Sequence, residues 1–388
     1  MPLAGIVAEF NPLHNGHKYL IDCAKTAGYD VASVISGNFV QRGDTAIIPK
    51  FRRAESALLA GADIVLELPI PWSMSTAQNF ALGGISQLSA IGVEALYFGS
   101  ECGDIDELNK VADLLTSEKY NTKLKERLSQ GNTFAKIRSE LVNELLNKES
   151  NVLRNPNDTL AVEYILAARK LGLSMRFVPV KRKGASHNDS SALNGFSTAT
   201  LLRDAINKGD YDYLSIFVPE FSYKIIEKSP VSNIDRIDTA IIAKLKQMKY
   251  DDYRKISDMS EGLDKLIYKS VRDCFCIKEL AEKLKSKRYT LARIRRLILS
   301  SFLEIDNSFF LKEPPYVRIL GFTQNGEKYL AIPKNKPVIT KVSQIEKLND
   351  FSKHVFDKEN ISNELYALSL NEPKSFVSEQ REAIRRLN

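Results

Sequence analysis

The feature that most limits the folds open to this 388-residue chain is an alternation of short apolar runs with helical patterns through its first half. "LAGIVAEF" (3–10) reads as a strand and residues 16–27 as a helix. "VASVIS" (31–36) is a second strand, followed by a helix over 50–62 that stops at Gly61. "DIVLEL" (63–68), "EALYFGS" (94–100) and "MRFVPVKR" (175–182) supply three more strands. Helical patterns fill 75–92, 104–148 and 155–172 between them, the last with Asn157 or Asp158 near its start and Gly172 past its end. Alternation of this kind builds a parallel sheet with helices on both faces, an α/β architecture. Ligands of such sheets bind beyond the carboxyl ends of the strands.

After "STATLLRDAI" (197–206) the pattern changes. Amphipathic helices dominate, with long ones expected over 232–249 and 277–304, and a small strand region near "YVRILGF" (316–322) and "PVITKV" (337–342). The boundary falls near 205–215, dividing the chain into residues 1–208 and a mainly helical, basic 209–388. Charge divides the same way. Residues 1–200 hold 21 basic and 21 acidic side chains, so the whole +7 lies in residues 201–388, with 34 and 27. A neutral half joined to a basic half suits a catalytic domain beside one that meets a polyanion; solvated helix faces account for the same charge equally well.

Two of the four histidines sit three residues apart in "HNGH", His14 and His17, where the first strand gives way to a helix. A helix N-terminus presents free N–H groups and partial positive charge, which suit phosphate. Gly16 permits close approach to the backbone. Imidazoles at i and i+3 share one face of the first turn and can donate to phosphate oxygens as charge builds. The spacing lacks the glutamate of the H-E-x-x-H zinc motif, so no metal role is assigned; histidines that only cap the helix are the plain alternative.

The neighbours of the pair decide between these. "HNGH" resembles the H-x-G-H signature of the HIGH-type nucleotidyltransferases. "GIVAEFNPLHNGH", "SGNFVQRGDTAIIPKFRRAESALLAGADIVLELP", "YFGSE", "NPNDTLAVEY", "VKRKGASHND" and "FSTATLLR" follow in one order that is similar to the tRNA(Met) cytidine acetate ligase family, with "SKRYTLARIRRLIL" (286–299) beyond. Leu13 and Ser186 depart from it, standing where aromatic residues are common.

The resemblance implies a Rossmann-like nucleotidyltransferase domain followed by a helical tRNA-binding domain. It implies that ATP activates acetate as acetyl-adenylate, and that the acetyl group passes to the N4 amine of the wobble cytidine of elongator tRNA(Met). Carried over by position, the ATP-binding segment is Val7, Ala8, Glu9, Phe10, Asn11, Pro12, Leu13, His14, Asn15, Gly16, His17, Lys18, Tyr19 and Leu20. Gly99, Asn157 and Arg182 add further contacts, and His14 and His17 act in catalysis. ATP is then a substrate, with Mg²⁺ compatible, and tRNA and acetate are the partners.

Other residues are read on their own chemistry. Arg182 is a fixed cation able to fork onto phosphate oxygens. Ser197 reads as a helix cap and Arg203 as a phosphate candidate. Gln41, Arg42 and Asp44 lie on a polar loop at the ligand end of the sheet, and Lys50, Arg52 and Arg53 either meet RNA phosphate or are solvated. In the basic run 283–303, Arg288, Tyr289, Arg295 and Arg296 are the tRNA candidates, against a solvated helix face. His187 is left without a role.

Composition excludes several classes. "MPLAGIVAEF" lacks the basic start and long apolar run of a signal peptide, and no segment approaches a spanning helix, so a cytoplasmic protein is expected. Four cysteines are too few for a disulfide scaffold, and the C-x-C at Cys274 and Cys276 is not a zinc or redox spacing. Two further functions stay open: a small-molecule adenylyltransferase, which the first half fits equally, and a non-catalytic RNA-binding protein.

Overall fold

Buried strands and the helices that cover them set the frame. The computed structural model describes residues 1–128, 134–182, 196–260, 262–286, 289–331, 335–373 and 382–388. Strand β1 (Leu3–Ala8) leads to helix α1 (Asn15–Thr26) and β2 (Asp30–Ser36). A small hairpin follows, β3 (Phe39–Val40) and β4 (Asp44–Thr45). Next come α2 (Lys50–Leu59), β5 (Ile64–Leu68), α3 (Ile70–Ser73), α4 (Ala77–Ala90) and β6 (Ala95–Ser100). The first half closes with α5 (Ile105–Thr116), α6 (Glu118–Leu128), α7 (Phe134–Leu146), α8 (Pro156–Lys170), β7 (Arg176–Lys181) and α9 (Ala199–Lys208). The α/β reading holds, and all five strands expected in the first half form.

β1 lies inside the sheet. It pairs parallel with β2, from Leu3 opposite Asp30 to Ala8 opposite Ile35, and with β6 through Ala4 and Ala95. β5 extends the sheet beyond β2, and β7 extends it beyond β6. The alternating side chains feed two cores. Ala4, Ile6, Val31 and Ile35 pack with α1 and α2 on one face, and Leu3, Ala32 and Val34 pack with α4 and α8 on the other. Strand order thus runs outward in both directions from β1, and the crossovers part at the β1/β6 pair. A crevice opens there beyond the carboxyl ends.

The chain returns to this sheet late. β8 (Val317–Thr323) pairs antiparallel with β5, while β9 (Val338–Ile339) and β10 (Arg385–Leu387) pair parallel with β8. The 208/209 boundary therefore marks a change of sequence character, and the sheet draws strands from both sides of it. Without β8, β5 would present an open edge. Local signals also moved boundaries. β1 stops at Ala8 because Phe10 takes φ +47°, outside the strand region. The long helices expected over 232–249 and 277–304 each break. The first becomes a 3₁₀ turn, Ile234–Ile237, and a helix, Asp238–Gln247. The second becomes Ile277–Leu284 and Leu291–Leu303, the latter started by Thr290 accepting the Arg293 N–H at 3.3 Å.

Two cations expected at a solvent or RNA surface are interior struts. Lys50, 1% exposed, pairs with Glu67 at 2.5 Å and with Glu359 at 3.2 Å; Glu359 lies on the helix Asp350–Ala367. Arg53, fully buried, donates to the carbonyls of Ile48, Glu9, Ser36 and Gly37, tying α2 to the strand ends. Burial pulls its pKa down to about 10, so it keeps its charge at neutral pH. Arg52 pairs locally with Glu55 at 3.1 Å. No helix among the described residues is long and apolar enough to cross a membrane.

Candidate active site

The crevice at the β1/β6 junction deepens into a cleft of about 310 Å³. Its floor is the end of β1 and the first turn of α1. His14 is the N-cap of α1, with an extended backbone (φ −130°, ψ 174°). Its Nδ1 accepts the Gly16 N–H at 3.1 Å, and His17 Nδ1 accepts the His14 N–H at 3.3 Å, a reciprocal capping box built from imidazoles. The rings stack with centroids 3.7 Å apart, and Phe10 meets His17 edge-on at 5.0 Å.

This geometry sets the protonation. With Nδ1 accepting in both rings, each neutral imidazole carries its proton on Nε2, as a donor. Burial, with the nearby Arg182 guanidinium adding to it, pulls His14 down to about 3. Burial and then the stacked His14 hold His17 well below the usual histidine range. The pair therefore supplies two neutral N–H donors at pH 7. Arg182 follows β7 and lies along Gly99, its Cγ 3.6 Å from where a β-carbon on that glycine would stand.

A second network fixes the wall. Asp158, fully buried in the first turn of α8, accepts from Ser100 Oγ at 2.5 Å, the Glu101 N–H at 2.9 Å and the Cys102 N–H at 3.0 Å. Glu101 reciprocates, accepting from Asn157 Nδ2 at 2.5 Å and the Asp158 N–H at 3.0 Å. "YFGSE" and "NPNDTL" are thereby locked together, and Gly99 and Asn157 share one side of the cleft.

Of the family-implied nucleotide residues, the cleft gathers Val7, Ala8, Glu9, Phe10, Asn11, His14, Gly16, His17, Tyr19, Leu20, Gly99, Asn157 and Arg182. Pro12, Leu13, Asn15 and Lys18 do not line it. Leu13 is core, with its carbonyl taken by Ser222; Asn15 donates to the Ile216 carbonyl at 3.3 Å; and Lys18 pairs with Asp22. Arg203 spends one guanidinium nitrogen on the Asn11 carbonyl at 3.0 Å, bracing the loop before the histidines. The cap of α9 is Thr198, not Ser197, which bonds Tyr213 at the cleft rim. Gln41 and Arg42 also line the cleft. Sequence reasoning missed Glu101, Phe80, Phe98 and Tyr164; Glu101, Phe98 and Tyr164 stood inside quoted motifs, but nothing local gave them a direction.

The tRNA candidates separate. Arg295 is exposed. Arg296 is largely buried, donating to the Gln41 carbonyl at 3.3 Å and pairing with Asp258 at 3.5 Å. Tyr289 lies under the Arg293 guanidinium, 4.9 Å from its centroid. Arg288 and His187 fall outside the described residues. Among the described residues no group of three or more His, Cys, Asp or Glu side chains is placed to hold a metal.

A mainly parallel sheet with paired N–H donors and an arginine at its switch point is the site of a nucleotidyltransferase. The HIGH Nucleotidyl Transferase family model matches residues 1–381. A tRNA(Met) cytidine acetate ligase of Caldanaerobacter subterraneus subsp. tengcongensis is 38% identical, over 95% of this chain and 96% of that one. Another from a Thermoanaerobacter species is 37% identical with the same coverage. Thermotoga maritima TmcAL superposes with a TM-score of 0.92 in its apo form and 0.89 bound with alpha-thio ATP. The identities are 32% and 31%, and each match covers both chains fully. The chain belongs to the tRNA(Met) cytidine acetate ligase family of HIGH nucleotidyl transferases.

Proposed function

We propose that this protein joins acetate to ATP, forming acetyl-adenylate and pyrophosphate, and then transfers the acetyl group to the N4 amine of the wobble cytidine in elongator tRNA(Met). The observation that carries the first step is the Nε2–H pair of His14 and His17, fixed through both Nδ1 atoms beside Arg182.

Acetate is a poor acyl donor until its oxygen carries a good leaving group. The attacking carboxylate must lie in line with the α-phosphorus, so positioning and charge stabilisation supply most of the catalysis. Neutral donors suit this task because they gain strength as phosphate charge develops without already carrying charge of their own. Arg182 takes phosphate oxygens as a planar fork. Gly99 and Asn157, locked by Asp158 and Glu101, form the nucleotide wall. Glu9 is the one carboxylate among the described lining residues, so a Mg²⁺ ion brought in by ATP would be held mainly by the nucleotide and would supply charge neutralisation there. The exposed Arg295 gives the basic half a phosphate contact.

Incubation with ATP, labelled acetate and bulk tRNA, followed by digestion of the RNA, tests the reading. Labelled acetylcytidine supports it. Pyrophosphate exchange with no labelled RNA favours a small-molecule adenylyltransferase, and tRNA binding without ATP turnover favours a non-catalytic protein. Either outcome ends the proposal.

A further inference from the structure

The cleft carries two kinds of charge, and one substrate does not suit both. Arg42, Lys181 and Arg182 face it as cations, beside the neutral histidines. Glu9 is the one acidic side chain among the described residues that line it. Its place is built. Glu9 Oε1 accepts the Gln41 N–H at 3.0 Å, and its backbone carbonyl accepts Arg53 Nη1 at 2.7 Å. The next residue, Phe10, takes φ +47°, a costly conformation for a bulky side chain, of the kind that clusters at functional sites. Glu9 Oε2 makes no hydrogen bond with a described residue.

An oxygen held this way repels the phosphates of ATP and the carboxylate of acetate. It attracts an N–H donor. The same cleft is lined by the edges of Phe80, Phe98 and Leu160, an apolar side for a flat ring, and by the buried Tyr164, whose ring lies 6.3 Å from that of Phe98 and whose hydroxyl has no partner among the described residues. Burial raises the Tyr164 pKa, so that hydroxyl stays a donor.

We propose that Glu9 receives the acceptor amine: its Oε2 takes a hydrogen from the exocyclic N4 of a cytosine ring seated against Phe80 and Phe98. This rests on the acetate ligase reading above. Carboxylates pair naturally with cytosine N4. In the transfer step the N4 nitrogen bonds to the acetyl carbonyl carbon, and the bond from that carbon to the adenylate oxygen breaks. The electron pair leaves with AMP. One N4 proton passes to Glu9 and from there to solvent. Glu9 is then a catalytic residue of the second half-reaction, within a segment otherwise given to the nucleotide.

Glu9→Gln is the test, because an amide oxygen still accepts the Gln41 N–H. Enzyme carrying preformed acetyl-adenylate is mixed with tRNA and quenched within one turnover, and acetate-dependent ATP–pyrophosphate exchange is measured in parallel. The expected result is a transfer rate lowered by about 10²-fold or more, the scale of general base catalysis, with exchange lowered less than about tenfold. Acetyl-adenylate then persists on the variant after tRNA is added, and Glu9→Asp recovers part of the rate. Equal losses in both steps, a defect confined to KM for ATP, or unchanged transfer would each overturn the assignment; the second would put Glu9 on the ribose. Wild-type enzyme that exchanges pyrophosphate but labels no RNA instead overturns the acetate ligase reading itself.

Discussion

His14 and His17 stack with ring centroids 3.7 Å apart and 20° between their planes, each Nδ1 occupied by a backbone N–H of the same helical turn. Both stay neutral because they are buried, with Arg182 nearby and, for His17, the stacked His14 adding to the effect. His17→Ala is expected to lower acetate-dependent pyrophosphate exchange by about 10²-fold or more, the loss seen when a preorganised transition-state donor is removed. A near-normal rate would take His17 out of the mechanism.

The same pair makes stability depend on pH with a definite sign. His14 binds its proton only near pH 3 in the folded chain, against 6.5 for a free imidazole. Between those values the unfolded chain binds more protons, so the contribution is intact above about pH 6.5 and is lost as pH falls toward 3. Urea midpoints should therefore drop less steeply over that window in the double variant His14→Gln, His17→Gln than in the wild type. Parallel curves would show that the imidazoles are not held neutral.

Arg295 and Arg296 are neighbours in sequence with opposite surroundings. Arg295→Ala removes an exposed cation and should reduce the salt slope of tRNA binding by about 1. Arg296→Ala should leave that slope unchanged and impair transfer, since Arg296 holds the Gln41 carbonyl at the cleft rim. Fluorescence anisotropy against salt, with a single-turnover assay, separates the two.

That contrast marks how far the chain could be read without its structure. The apolar alternation placed β1, β2, β5, β6 and β7 because each has its own local period, and "HNGH" announced the cleft because its residues act within one turn. What stayed hidden depends on partners far along the chain. "YVRILGF" reads as a strand, yet nothing in it names β5 as its neighbour. Lys50 and Arg53 look solvated because Glu359, and the strand ends that absorb Arg53, lie elsewhere. Arg296 looks like its neighbours until the Gln41 loop is seen against it.

Gly43 shows how tight that contact is. Its φ is +73°, and a β-carbon there would sit 2.4 Å from the Arg296 backbone nitrogen. Gly43→Ala should cost about 1–3 kcal/mol, from left-handed backbone strain and the forced separation of loop and helix. A thermal scan reads the loss, and an unchanged Tm would mean that the loop is not seated on the helix Leu291–Leu303.

Lys50 offers a sharper test of the tie between the two ends of the chain. Its ammonium bridges Glu67 at the end of β5 and Glu359, 309 residues away, and all three side chains are at most 3% exposed. Glu359 also accepts the Ile70 N–H at 2.8 Å, so the helix Asp350–Ala367 is joined to α3 and to the strand ends at once. Lys50→Met keeps the stem and removes the ammonium that both buried carboxylates share. Breaking a buried pair on one side costs about 3–5 kcal/mol, well above the worth of an exposed pair. Urea denaturation should show that loss. Converting both acids as well, Glu67→Gln and Glu359→Gln, should recover a substantial part of it, because the penalty lies in the stranded charges and not in the missing ammonium. If the triple variant is no more stable than Lys50→Met alone, packing of the lysine stem is what holds these elements together, and the ion pairs are incidental.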